Sequence, residues 1–146
     1  MPYAGTFSLV YPGVRKKWNG NKIESVVYWL WIVISRMWKR EMSNIENITN
    51  IIVQTVNPDR VYLFGSYANG TPDSDSDYDF YVVVPDGSER TALITEKLYM
   101  ALYKKTNKKP IDILVKHTSY FESRKFLPTI EREVFRNGIM LYGNNW

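Results

Sequence analysis

The chain contains no cysteine among its 146 residues. Disulfide frameworks and thiolate metal sites are therefore excluded, and the absence suits a reducing cytoplasm, the compartment expected here. Histidine occurs once, as His117; a lone imidazole after a strand-like run reads as a surface or capping group and is assigned no role. No apolar run is long enough to span a bilayer, since Val26 to Ile34 covers nine residues where about 20 are needed. Basic residues rather than a small-residue cleavage site follow that run, so it matches a secretory signal poorly. A membrane role is not expected. Internal repeats and low-complexity segments are also missing.

The charge that is present is unevenly spread. The net +4 hides an excess in residues 1–41, which hold seven Lys/Arg (Arg15, Lys16, Lys17, Lys22, Arg36, Lys39, Arg40) against Glu24 and Glu41. The remainder carries 12 basic and 13 acidic side chains, so direct nucleic-acid binding by residues 42–146 is not expected. Four of the five tryptophans (Trp18, Trp29, Trp31, Trp38) lie in the same first part. This shift places a boundary near Met42, dividing a basic, Trp-rich extension (1–41) from a domain (42–146) large enough to bury a core.

Within the extension, Ile23, Val26, Val27, Leu30, Trp31, Ile34 and Trp38 follow a helical stripe. Three readings of it stay open. The first in rank makes Met42 the true start and residues 1–41 upstream sequence; the second is an extra helix docking on the domain or a partner; the last is an interfacial membrane helix.

After Met42, Ser43 with Glu46 has the form of a capping box, opening a helix with Ile45, Ile48, Ile51, Ile52 and Val56 inward and a stop at Asn57-Pro58. Val61–Phe64 and Phe80–Val84 read as strands, and Asp86 with Glu89 as a second capping box before a helix that turns Leu93, Ile94, Leu98, Ala101 and Leu102 inward. Lys104, Lys105, Lys108 and Lys109 read as solvent charges matched to that helix's C-terminal end. Ile111–Val115 is a third strand, buried on both faces. Pro128–Asn137 is a helix with Ile130, Val134 and Phe135 inward, and Ile139–Tyr142 is an edge strand. The alternation predicts an α+β fold, a small mixed sheet covered by helices.

Chemistry concentrates in Gly65-Ser66 and Asp77-Tyr78-Asp79, with Asp112 as a third piece. Alternate strand residues share a face, so Asp77 and Asp79 can aim at one point. Asp112 joins them if its strand lies beside theirs. Three carboxylates repel one another unless cations neutralise them. Magnesium gives the cluster a purpose: two ions about 4 Å apart clamp the attacking and leaving oxygens of an in-line displacement at phosphorus. Gly65 lets backbone approach a triphosphate, and Ser66 offers an N–H and a hydroxyl. A solvated Ser/Asp turn is the plain alternative. A calcium loop starting at Asp73 fails, because Tyr78 stands at its sixth position and Val84 at its twelfth. Asp73 and Asp75 read as loop solvation, Tyr67 and Tyr78 as packing or base stacking, and Arg124, Lys125, Arg132 and Arg136 as a solvated face.

The set Gly65-Ser66, Gly70, Asp77-x-Asp79 and Asp112 resembles the signature of the nucleotidyltransferase superfamily that includes DNA polymerase β. The resemblance spans roughly Ser43 to Tyr142 and implies the palm-like fold. It implies catalytic and metal-holding roles for Asp77, Asp79 and Asp112, phosphate contacts for Gly65 and Ser66, two Mg²⁺ ions, and ATP as substrate. In length the part after Met42 resembles the minimal nucleotidyltransferases, many of them antitoxins that transfer AMP to a tyrosine of a HEPN-domain toxin. Relatives often carry Arg where this chain has Tyr67 and Asn69. An antitoxin acting by binding alone, and a small-molecule (aminoglycoside-type) nucleotidyltransferase, are the alternatives.

Overall fold

In the computed structural model the structure describes residues 25–143 apart from 104 and 106–108, with the side chains of 25–29 and 31 also left aside. The expectations for Ile23, Trp18, Lys104 and Lys108, and for the side chains of Val26, Val27, Trp29 and Trp31, lie outside the described residues.

Helix α1 (Ser25–Val56) is a single run of 32 residues. Neither Gly nor Pro occurs between Ser25 and Val56, so nothing stops a helix there. The capping box expected at Ser43 is therefore not a helix start: Ser43 and Glu46 are exposed mid-helix residues, and α1 crosses Met42 unbroken. The expected stop does occur, with Asn57 at φ 45° and its N–H donating to the Val53 carbonyl at 3.0 Å.

Four strands follow: β1 (Arg60–Phe64), β2 (Tyr78–Val84), β3 (Ile111–His117) and β4 (Ile139–Tyr142). They form one sheet in the order β3-β2-β1-β4, with β2 and β3 parallel and the other pairs antiparallel. The mixed, helix-covered sheet expected from the sequence is thus present. α3 (Thr91–Tyr103) is the crossover that a parallel pair requires. α2 (Gly65–Asn69), α4 (Thr118–Arg124) and α5 (Ile130–Asn137) are the remaining elements among the described residues.

Strand alternation divides the interior in two. On one face Ile45, Ile48 and Ile52 of α1 and Ile94, Leu98 and Leu102 of α3 bury Val61, Leu63, Phe80, Val82, Ile113 and Val115. On the other, Phe121 of α4 and Val134 of α5 pack on Tyr62, Tyr81 and Val83. Leu30 and Ile34 of the expected stripe are exposed, as are Val33 and Met37 beside them, while Trp38 is half-buried.

Several inward assignments are corrected. Leu93, Ile130 and Phe135 are exposed, and in α5 it is Glu131 that is buried, at 2 % exposure. Its carboxylate accepts the Tyr81 hydroxyl at 2.9 Å and Arg124 Nε at 3.3 Å, so a polar residue holds the inward place. Asp86 and Glu89 do not open α3, which starts at Thr91. Asp86 instead accepts the Ser119 N–H at 2.9 Å, capping α4 from another segment, and Glu89 pairs with Lys97 at 2.6 Å. β3 is an edge strand, and its Asp112 and Leu114 face is exposed rather than buried.

Candidate active site

The ladders bring two of the three expected carboxylates side by side. Phe64, last residue of β1, stands opposite Asp79, and Asp79 stands opposite Asp112. Ladder partners point to the same face. Phe64, Asp79 and Asp112 thus make a row across three strands, where β1 ends and β2 and β3 begin. The face is the one covered further along by α4 and α5. Asp77 lies one residue before β2 and is half-buried, as is Asp79, whereas Asp112 is exposed.

Burial pushes the Asp79 carboxyl above its ordinary range, and the charges of Asp112 and Asp77 push the same way. Among the described residues none of the three carboxylates has an ion-pair partner. Among the described residues, too, no three His, Cys, Asp or Glu side chains close into a cage around one point. The donor set fits a hard cation nonetheless. Carboxylate oxygens are what magnesium takes, and it binds through one or two of them plus substrate phosphates rather than through an all-protein cage.

Gly65 fits against this row because it has no side chain. Its φ is +69°, and a Cβ there would stand 2.2 Å from Asp79 Oδ2. The next residue, Ser66, is half-buried; its carbonyl accepts the Gly70 and Thr71 N–H groups, the latter at 3.0 Å, which closes α2. Bare backbone at Gly65 lies against Asp79, with Asp112 next in the row, an arrangement suited to a polyphosphate and its counter-ions.

The loop between α2 and β2 behaves as loop. Asp73 accepts the Ser76 hydroxyl at 2.9 Å and the Asp75 N–H at 3.0 Å, and both carboxylates are exposed. His117 Nε2 lies 3.2 Å from the Glu89 carbonyl, ahead of α3. Arg124 is paired with Glu131, and Lys125 with Glu122. Lys109 is no free solvent charge: it contacts Glu41 and Tyr67. Nothing in the sequence pairs residues so far apart.

Residues 46–146 match the family described as Polymerase beta, Nucleotidyltransferase. The chain belongs to that family. Among curated proteins none matches. This nucleotidyltransferase is also similar to solved structures. One is a toxin-antitoxin with AMP-PNP, at a TM-score of 0.46 and 25% identity, covering 68% of this chain and 74% of that one. Another is a proposed nucleotidyltransferase from Sulfolobus solfataricus, at 0.49 and 16% identity, covering 72% and 82%. A third is a mutant of the toxin-antitoxin MntA-HpeT, at 0.45 and 21% identity, covering 68% and 74%.

Proposed function

We propose that this nucleotidyltransferase is an antitoxin that moves AMP from ATP, with Mg²⁺, onto a tyrosine of a HEPN-domain toxin in the cytoplasm. Family membership supports the transferase, and the observation that carries the site is the row Asp79–Asp112 beside a Gly65 stripped of any side chain. Residues 42–146 are taken as the catalytic domain, opening just ahead of the family match at residue 46.

In the reaction the acceptor oxygen bonds to the α-phosphorus, the bond from that phosphorus to the bridging oxygen breaks, and pyrophosphate leaves. Asp77 and Asp79 would hold the Mg²⁺ ions, with Asp112 as the third ligand. When bound, the metal neutralises charge building on the phosphoryl oxygens. Gly65 and Ser66 would cradle the phosphates. Asp112 faces solvent on the edge strand. That exposure supports a role in which it would receive the proton of a hydroxyl arriving from outside. An open edge suits an acceptor carried on another protein, and the toxin as that protein rests on the resemblance of the motif set to minimal nucleotidyltransferases.

Transfer of label from α-labelled ATP to the purified toxin, abolished by Asp77→Asn, tests the reading. Undiminished neutralisation by that variant, with no labelling by the wild type, would replace it with an antitoxin that acts by binding alone.

A further inference from the structure

We propose that Lys109, anchored by Glu41, is a positioning residue that fixes the phosphate-binding turn relative to the carboxylate row. The inference rests on the nucleotidyltransferase reading above. Lys109 Nζ donates to the Tyr67 hydroxyl and lies 3.5 Å from Glu41 Oε2. It also stands 4.8 Å from the centroid of the Tyr67 ring and 5.3 Å from that of Tyr78, rings that are themselves 4.8 Å apart. The Tyr78 hydroxyl donates to Glu41, and the Tyr78 N–H donates to the Pro110 carbonyl at 3.1 Å.

Each partner belongs to a different part of the site. Tyr67 follows Ser66 in α2, and Tyr78 separates Asp77 from Asp79. Lys109 itself lies two residues before β3 and three before Asp112. One ammonium thus ties together the three segments on which transfer depends, and α1 supplies its counter-charge. Tyr67 and Tyr78 are buried in the α1/α3 core, on the face away from Asp79. Lys109 therefore acts from behind the sheet and is not a catalytic residue. A cation held between two ring faces and a half-buried carboxylate is confined in direction as well as distance. Relative placement of a phosphate cradle and metal ligands is what such confinement secures.

The test measures binding of ATP with Mg²⁺, and of adenosine, to the full chain by calorimetry. Lys109→Met is expected to weaken ATP about tenfold and to leave adenosine unchanged, because only the phosphates meet the displaced turn. Lys109→Arg is expected to recover most of that loss. Glu41→Gln separates positioning from charge attraction and serves as the probe if Lys109→Met fails to fold. It makes the site more positive, so simple attraction would tighten ATP, whereas loss of the anchor weakens it about threefold. Tighter ATP binding by Glu41→Gln, or unchanged binding by both variants, overturns the inference while leaving the nucleotidyltransferase reading intact. Failure of the wild type to bind ATP would overturn that reading, and the inference with it.

Discussion

Asp79 occupies the space that any side chain at residue 65 would need: a Cβ on Gly65 would meet its Oδ2 at 2.2 Å and its Cγ at 3.0 Å. The backbone there is also left-handed, at φ +69°. Gly65→Ala is expected to cost about 1–3 kcal/mol of stability and to cut nucleotidyl transfer roughly 100-fold. Asp79→Ala in the same chain removes the clash but not the backbone strain. The double variant should therefore be less destabilised than the sum of the singles in urea titrations. Simple additivity would show that the carboxylate does not fill that space.

Stability should depend on pH through Asp79 in a definite direction. Its carboxyl is held above its ordinary range by burial, then by Asp112 and Asp77. The folded chain therefore keeps the proton longer than the unfolded chain does. Stability is highest below the unfolded carboxylate range and declines as pH rises from there to the raised folded value. Asp79→Asn removes this loss. At neutral pH its melting temperature should exceed that of the wild type by on the order of a few degrees, while transfer is abolished. The gain should vanish below about pH 3. A variant less stable than wild type at pH 7 would contradict the account.

The four strands were legible because each is an apolar run bounded by turn residues. The row of carboxylates was legible only conditionally, since its shared face depends on β2 and β3 being neighbours. The parallel register of Asp79 with Asp112 supplies that condition. Helix boundaries were less legible. Ser43 with Glu46 has the chemistry of a cap, but a cap marks a start only where the preceding chain leaves the helix, and nothing before Ser43 makes it leave. α4 went unseen because Phe121 is its lone buried residue, which makes no period, and its cap comes from Asp86 in a distant segment. Lys109 and Glu41 were unreadable for the same reason: long-range contact has no local signature.

Glu131 is expected to matter for stability more than its surface-like sequence context suggests. Burial alone would raise its carboxyl, but hydrogen bonds from Thr129, its own N–H, Tyr81 and Arg124 outweigh that and hold it below the usual range. The stabilisation is present above the unfolded carboxylate range and is lost as pH falls through the depressed folded value. Glu131→Ala would leave the buried Tyr81 hydroxyl unpaired, and should cost about 2–4 kcal/mol at neutral pH. Chemical denaturation at pH 7 and again near pH 3 measures both parts; a smaller cost at the lower pH is the expected result.

Divalent ions should stabilise the fold through the same three carboxylates that repel each other without them. Asp77, Asp79 and Asp112 have no ion-pair partner among the described residues, and burial, followed by the charges of Asp112 and Asp77, raises the Asp79 carboxyl. A cation that binds only the folded arrangement raises its stability by mass action, about 2.7 kcal/mol at a concentration 100 times the dissociation constant. Thermal melts in Mg²⁺ with ATP should therefore lie above those in chelator, and the increment should shrink for Asp112→Asn and disappear for Asp79→Asn. Asp73→Asn is the control, because that carboxylate is exposed and satisfied within its own loop by Ser76 and Asp75. An ion-dependent increment that survives Asp79→Asn but is lost in Asp73→Asn would move the metal from the strand ends to the loop, and the proposed chemistry would lose its site.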